Sequence, residues 1–454
     1  ASLKILRYGW KMLHTKRINT LELDREIVTD WQRRLPQILT STDEELVEAM
    51  REIMEPAMRL FTHHLDITGQ AGGAVQLLST ICEERLGDRS LALTLLGGIG
   101  DVDSAAPSFA LWELGRMVAH NDNLTEIFDS ESTDLQNRLR HSSNAKEFVE
   151  AFDNFLTTFG SRGANEWETA CETWGTNPEL VLVLIDRMRL ANAQNSPSSR
   201  AKELAQNRVT ALERTRQELR GIGSWLFEKA LHSSVLFSQA RERSKTTIID
   251  LIHVARLITR ELAQRTANQR VNGELIDLWF ILETELDDFI KNPAAFDQII
   301  TERKRVRNEL SNRVPPFVFE GRIPDPNSWP LRSDIKSKQN QDLQVGQQLK
   351  GFGGCPGIAE GTAKVITDPS DPRDLSSGDI LIAPLTDPSW TPLFVPAEAV
   401  VVNVGGQMSH AVIVSRELGM PCVVAVKDAT EIIKDGTRLR VNGSTGEVTI
   451  LEVP

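Results

Sequence analysis

The sequence predicts a multidomain α and α/β protein, with a large, mainly helical domain followed by a small α/β domain. From residue 30 to residue 320, apolar side chains recur at helical spacing, as at Leu46, Met50 and Ile53, and few alternating strand patterns compete. Residues 351–454 instead contain six short β-rich apolar runs. The 454 residues are enough for two or three domains. We therefore expect the helical part and the α/β part to follow one another along the chain.

Two less regular stretches lie at the start of the predicted helical domain, residues 1–320, and directly after its end. Residues 1–20 are basic and amphipathic, and this pattern fits either a helix on a membrane surface or a helix packed on protein. Residues 321–350 are rich in proline, asparagine, glutamine and serine, which is typical of a linker. We expect this linker to connect the helical domain to an α/β domain at residues 351–454.

Composition excludes several classes of protein. A net charge of −12 makes nucleic acid and acidic membranes poor partners. The four cysteines are widely scattered and form no C-x-x-C pair, so neither a zinc site nor a disulfide framework is indicated. No apolar run reaches the length of a transmembrane segment, and no signal peptide is evident. These features fit the reducing cytoplasm.

The strongest candidate site is His410. Residues 399–404 predict a buried strand, Gly405 and Gly406 end it, and the residues after His410 predict a helix. Free backbone N–H groups and the positive end of the helix dipole make such a position an anion site. An imidazole kept neutral there can act as a nucleophile towards phosphorus, and the two glycines leave room for a phosphate group. The alternative is an ordinary histidine in a turn.

A glycine-rich stretch, residues 95–104, is a second candidate. Its backbone N–H groups could cradle a phosphate group at the start of a helix. It has neither the Walker lysine nor the dinucleotide-binding spacing. The alternative is a turn followed by a helix cap at Asp103 or Ser104.

Two pairs of charged residues complete the candidates. Arg162 and Glu166 flank a glycine turn and could hold a phosphate group or a substrate hydroxyl group, or could form a structural ion pair. Arg241 and Lys245 are four residues apart and share one helix face, where like charges cost about 0.2–0.5 kcal/mol. An anion bound between them would offset that cost, whereas a solvated surface is the alternative.

The sequence around His410 resembles a known family. The pattern Gly405-Gly406-x-x-Ser409-His410, followed by Ser415-Arg416-Glu417-x-Gly419-x-Pro421, resembles the phosphohistidine (swivelling) domain of the phosphoenolpyruvate-utilising enzymes. These include pyruvate phosphate dikinase, phosphoenolpyruvate synthase and rifampin (rifampicin) phosphotransferase. Residues 355–361, 378–394 and 435–446 extend the resemblance in the order of the family.

This resemblance implies roles for several residues. His410 would carry a phosphoryl group, Gly405 and Gly406 would give access to it, and Ser409 would hydrogen-bond the phosphoryl group or fix the imidazole. Thr391 and Asp387 lie in a motif of the same domain, and their roles stay open.

The helical part resembles the substrate domain of rifampin phosphotransferase, more weakly, at residues 105–118, 159–178 and 240–261. In that family an arginine and a lysine four residues apart lie beside the site of transfer. The resemblance therefore implies that Arg241 and Lys245 bind phosphate. Arg162 and Glu166 are its candidates for substrate binding.

Nothing in the sequence resembles the ATP-grasp domain of that family or the pyruvate-handling barrel of the dikinases. We therefore expect no cofactor bound by this chain alone, with ATP and Mg²⁺ on a partner subunit or a missing domain. The predicted function is phosphoryl transfer from phosphohistidine to a hydroxyl group of a small, apolar molecule. Two alternatives stay open: a dehydratase or cyclase that phosphorylates a hydroxyl group to make it a leaving group, and a non-catalytic binding protein.

Overall fold

A computed structural model describes residues 9–100, 102–130, 134–193, 196–316, 318–334, 343–369, 371–372 and 374–454. Three predicted features lie partly outside this range: residues 1–8 of the N-terminal segment, Asp101 of the glycine-rich stretch, and residues 335–342 of the linker. Residues 9–14 are helical. We refer below to residues 9–334 as the helical region and to residues 343–454 as the α/β region.

The helical region is built from α-helices joined by short turns of 3₁₀ helix. The α-helices are α1 (Thr20–Ile38), α2 (Asp43–Glu52), α3 (Met54–Leu86), α4 (Leu91–Leu95), α5 (Ala106–Ala119), α6 (Asp122–Asp129), α7 (Leu135–His141), α8 (Lys146–Phe159), α9 (Glu179–Leu190), α10 (Pro197–Glu218), α11 (Gly221–Asn268), α12 (Leu286–Lys291) and α13 (Asp297–Ser311). The 3₁₀ turns are Ser143–Ala145, Leu275–Phe280, Glu283–Glu285, Pro293–Phe296 and Pro326–Ser328. None of the described helices is both long enough and apolar enough to cross a membrane.

Helix α11 organises the helical region. Its 48 residues correspond to a length of about 72 Å. It packs along α3 and α1, where its buried Ile249 and Val254 join a core that includes Val28 and Leu46. Burial of this apolar surface, rather than helix propensity alone, holds so long a helix in place. Arg241 and Lys245 therefore lie on a rigid element.

The α/β region is an eight-stranded mixed sheet in the order β1-β8-β7-β3-β4-β5-β6-β2. Its strands are β1 (Gln348–Lys350), β2 (Phe352–Cys355), β3 (Ile358–Val365), β4 (Asp379–Ala383), β5 (Ala399–Val402), β6 (Cys422–Val424), β7 (Arg438–Asn442) and β8 (Glu447–Glu452). Strands β3, β4, β5 and β6 are parallel to one another, and the other pairings are antiparallel. Helices α14 (Thr391–Phe394), α15 (His410–Leu418) and α16 (Ala429–Ile432) and the 3₁₀ turn Pro388–Trp390 complete the region.

The prediction of a helical part followed by a small α/β part is confirmed. Each of the six predicted β-rich runs overlaps one strand, in order from β3 to β8. Strands β1 and β2 were not predicted. Strand β1 lies in the stretch predicted to be a linker, but it pairs with β8 and so belongs to the sheet.

The two regions share a hydrophobic core. Leu111 and Trp112 of α5 belong to the same buried cluster as Leu393 of α14 and Val412 of α15. Because α15 begins with His410, this packing turns the histidine towards the helical region.

Candidate active site at His410

His410 is the first residue of α15, and the loop 403–409 connects it to the buried strand β5. Ser409 has an extended backbone and stands at the helix N-cap position. The predicted arrangement of strand, glycine turn and helix is therefore confirmed. It places the imidazole beside the free N–H groups of a helix N-terminus.

The two glycines before His410 have different surroundings. A Cβ atom on Gly405 would lie 2.9 Å from Val424 Cβ and 3.0 Å from Ser409 Oγ, so this position needs a glycine for packing within the α/β region. A Cβ atom on Gly406 would meet nothing within 4 Å. Only Gly406 therefore faces the open space that the sequence analysis assigned to both glycines.

Two threonine hydroxyl groups hold the imidazole. Thr386 Oγ1 lies 3.1 Å from His410 Nδ1, and Thr391 Oγ1 lies 3.1 Å from Nε2. The Thr391 hydroxyl donates to the Ser104 carbonyl of the helical region at 3.2 Å. Because a hydroxyl group has one hydrogen, Thr391 then accepts from Nε2–H, and Nδ1 keeps its lone pair towards Thr386.

Ser409 makes no such contact in this arrangement. Its Oγ atom is buried and has no hydrogen-bond partner among the described residues. Thr386 and Thr391, rather than Ser409, contact the imidazole in this structure, and a role of Ser409 towards the phosphoryl group stays a prediction. Sequence reasoning missed Thr386. The available signal was its place in the same motif as Thr391, next to Asp387.

The predicted charged residues of the helical region come together opposite His410. Glu166 is fully buried and is shared by two cations, Lys245 Nζ at 3.1 Å and Arg162 Nη1 at 3.2 Å. Arg162 also donates to Thr246 Oγ1 at 2.5 Å. Arg162 and Glu166 thus form the ion pair that the sequence analysis gave as one alternative, and this ion pair lies within the candidate site. We call Arg162, Arg241 and Lys245 the cation cluster.

Arg241 stands at the edge of the cation cluster and pairs with Glu242. Ser244, on the same helix, lies 2.9 Å from Nδ1 of the buried His64 of α3. Burial, together with the charge of Arg241, lowers the pKa of His64 to about 4. His64 was not predicted, because nothing in its local sequence relates it to residues 180 positions later.

The surroundings of His410 keep its side chain neutral. Burial lowers the pKa of His410 well below 6.5, and the charges of Lys245, Arg162 and Arg241 lower it further, in that order. A neutral imidazole retains a lone pair, and the cations beside it favour a negatively charged group. The arrangement can therefore hold a phosphoryl group between a nitrogen nucleophile and three cations.

An exposed apolar surface adjoins the site. Met54, Met58, Phe61 and Leu65 recur along one face of α3 and are between 37% and 57% exposed. Trp167, the neighbour of Glu166, packs edge-on against Phe61 with 6.1 Å between ring centroids and also lies 6.2 Å from the His64 ring. We call these five residues the apolar stripe.

One further hydrogen bond joins the two regions near His410. The Asp387 carboxylate accepts from the Asn165 backbone N–H at 3.1 Å. Burial raises the pKa of Asp387, and the nearby charge of Glu166 raises it further.

The glycine-rich stretch contacts the α/β region through its backbone N–H groups. Gly98 N–H donates to the Arg416 carbonyl at 3.2 Å, and the N–H groups of Ile99 and Gly100 donate to the Glu417 carboxylate at 3.3 and 3.2 Å. In this structure a carboxylate of the same chain therefore occupies the predicted phosphate cradle.

Two family models match the chain. Residues 63–242 match the rifampicin phosphotransferase fourth domain, and residues 375–446 match the mobile domain of the PEP-utilising enzymes. The first match contains Arg162, Glu166 and Arg241, and the second contains His410.

Curated relatives match over most of the chain. A rifampicin phosphotransferase of Streptomyces sviceus is 29% identical over 434 residues, which cover 91% of this chain and 48% of the relative. A rifampicin phosphotransferase of Bacillus subtilis is 27% identical over 81% of this chain and 42% of the relative. An uncharacterized protein of Mycobacterium tuberculosis is 31% identical over 68% of this chain and 32% of the relative. The chain thus spans half or less of the length of these relatives.

Proposed function

We propose that this chain, which belongs to the phosphoenolpyruvate-utilising enzymes and has phosphotransferases among its relatives, carries a phosphoryl group on His410 and transfers it to a hydroxyl group of a small molecule. One observation carries the proposal. The neutral, half-buried imidazole of His410 lies beside the cation cluster, and two of these cations, Arg162 and Arg241, lie on the part of the chain that matches a domain of rifampicin phosphotransferase.

The proposed transfer exchanges one bond to phosphorus for another. The acceptor oxygen forms a bond to phosphorus, the bond from phosphorus to the His410 nitrogen breaks, and its electron pair returns to the imidazole. In the phosphorylated ring the second nitrogen carries no proton, so the freed nitrogen takes up the proton of the acceptor hydroxyl group and the ring stays uncharged. The products are a phosphate ester and a neutral imidazole, which is the form that the buried site favours.

Protein groups on both sides would stabilise the transferring group. Phosphoryl transfer is accelerated mainly by positioning and by charge. Lys245 and Arg162 share a single carboxylate, that of Glu166, so the three side chains together keep one positive charge for the phosphoryl oxygens. On the other side, the unpartnered Ser409 Oγ and the N-terminal N–H groups of α15 could accommodate the same oxygens.

The donor site is proposed to lie elsewhere. In the present arrangement, which we call docked, His410 is enclosed against the helical region. The phosphoryl group would come from ATP with Mg²⁺, bound by an ATP-grasp-type nucleotide domain or partner subunit. His410 would have to undock to reach it. The greater length of the curated relatives supports this division, since they extend well beyond the matched part.

The apolar stripe is the proposed site for the body of the acceptor. Its Trp167 packs against Phe61 and reaches the His64 ring, and the charges of Arg241 and Lys245 act on that ring. An apolar molecule bound there would bring a hydroxyl group to His410. This supports the choice of an apolar acceptor, and rifampicin is the first compound to test.

We predict that Phe61→Ser raises the KM for the acceptor at least about tenfold, because burying a phenyl ring against a ligand is worth about 1.5–3 kcal/mol. Phosphorylation of His410 should keep its rate, because the donor does not use this surface. Val271→Ser, at a residue that is 98% exposed on another part of the helical region, is the matched control. Steady-state kinetics with rifampicin as acceptor measure the effect, and an unchanged KM would exclude the stripe as the acceptor site.

A further inference from the structure

Glu417 is the one buried carboxylate of α15, and the proposed transfer does not use it. It is 6% exposed, lies seven residues after His410, and faces the helical region. Its two oxygens accept from the backbone N–H groups of Ile99 and Gly100. The carboxylate therefore belongs to the contact that keeps His410 docked.

The turn that binds Glu417 depends on glycines for its backbone conformation and its packing. Gly98 and Gly100 have positive φ angles of 58° and 68°, which favour glycine. A Cβ atom on Gly98 would lie 2.8 Å from the backbone nitrogen of Ala205 on α10. Gly419, which ends α15, packs in turn near Leu204. The glycines thus let three consecutive N–H groups reach the α/β region.

The ionised form of Glu417 is poorly compensated in this position. The two nearby cations direct their Nε–H groups to carbonyls, Arg208 to Leu95 and Arg416 to Gly354, and neither forms an ion pair with Glu417 among the described residues. A buried carboxylate with two N–H partners still bears much of its desolvation cost. A cavity of about 510 Å³ reaches the same carboxyl group, so water can exchange protons with it.

We propose that Glu417 controls how long the α/β region stays docked: its carboxyl group docks in the turn of Gly98, Ile99 and Gly100, and its ionisation favours release. The proposal rests on the proposed function in one respect, since only a carrier that visits two sites needs release. Replacement of the carboxyl group by a neutral amide removes this ionisation, so docking of the variant should depend less on pH than docking of the wild type. The amide NH₂ group cannot accept from the turn as the second carboxylate oxygen does, and this loss is the same at every pH.

The expected direction with pH follows from proton linkage. Burial, partly offset by the Gly100 and Ile99 N–H groups and the two arginines, raises the pKa of docked Glu417 to about 7 from its ordinary value of 4.5. Docking thus takes up a proton; it is favoured at low pH and weakens as pH rises through 7. Between pH 6 and pH 8 the contribution of Glu417 to the docking constant should fall about tenfold.

Other titratable groups act at the same interface and must be separated from Glu417. They are His410, Asp387, Asp103, Lys202 and Cys355. His410 acts in the opposite direction, because docking lowers its pKa and so favours the deprotonated form. A comparison of the wild type with Glu417→Gln at each pH cancels these shared contributions.

Hydrogen exchange measures docking without any substrate. The amide hydrogens of Gly98, Ile99 and Gly100 bond to acceptors of the α/β region, so their protection reports the docked state. We expect the ratio of wild-type to Glu417→Gln protection to fall about tenfold from pH 6 to pH 8. Glu360→Gln, which removes an exposed ion pair with Arg440, should match the wild type at both values.

A ratio that stays constant from pH 6 to pH 8, or amides that are unprotected in the wild type, would overturn the proposal. The same comparison is repeated with Glu417→Ala in place of Glu417→Gln, so that the conclusion does not depend on one substitution. Neither experiment involves phosphorylation. A wild type whose His410 is not phosphorylated would thus contradict the proposed function while leaving this test intact.

Discussion

Lys245→Met should lower the rate of phosphoryl transfer from phosphorylated His410 to an acceptor by about 100-fold or more, the usual effect of losing one charged or hydrogen-bonding group at a transferring centre. Methionine keeps most of the length of the side chain and removes its charge. Lys245 also makes the largest contribution of any charged group to the low pKa of His410. Formation of phosphohistidine at a separate donor site should be little changed.

Single-turnover kinetics test this prediction. The phosphorylated protein is mixed with rifampicin, or with another compound found to accept the group, and the loss of acid-labile phosphate is followed. Lys291→Met, at a side chain that is 67% exposed, serves as the matched control. Equal transfer rates in Lys245→Met and the wild type would remove Lys245 from the mechanism.

Glu166→Gln should destabilise the helical region by about 3–5 kcal/mol, the range found when one partner of a buried ion pair is removed. Glutamine fills the same volume, but it leaves Arg162 and Lys245 without their shared carboxylate in a site where the arginine is 3% exposed and the lysine 13%. The thermal unfolding midpoint measures the loss.

Glu172→Gln provides the control for Glu166, because Glu172 is an exposed carboxylate of the same loop that binds only the Asn177 side chain among the described residues. Its unfolding midpoint should equal that of the wild type. If Glu166→Gln also kept the wild-type midpoint, the pairing of Glu166 with two cations would not stabilise the protein.

Local patterns predicted the position of His410 because that position depends on neighbours in sequence. An apolar strand, a glycine turn and an apolar helix follow one another within twenty residues, and each has its own signal. Strand β1 had no such signal. Its three residues, Gln348–Lys350, are polar or half-exposed, and only pairing with β8 makes them a strand.

The site itself could be predicted only in part, because tertiary packing assembles it. The sequence placed Arg241 and Lys245 on one helix face, but the carboxylate that Lys245 shares with Arg162 comes from a loop 79 residues earlier. Likewise, the partner of the imidazole is Thr391 rather than the adjacent Ser409, since the Ser104 carbonyl of the helical region orients the threonine.

The glycine-rich stretch shows the same limit. Its pattern correctly indicated a turn with free N–H groups, and such groups bind anions. Sequence alone could not tell a phosphate group from the carboxylate of Glu417, which lies more than 300 residues further along the chain.

Phosphorylation of His410 tests the central claim most directly. The wild type and His410→Ala would be incubated with ATP, Mg²⁺ and candidate ATP-grasp-type partners, and their intact masses measured before and after acid treatment. We predict an acid-labile gain of one phosphoryl group in the wild type with the correct partner, and none in His410→Ala. The absence of that gain with every donor would contradict phosphoryl transfer through His410 and favour a non-catalytic binding protein.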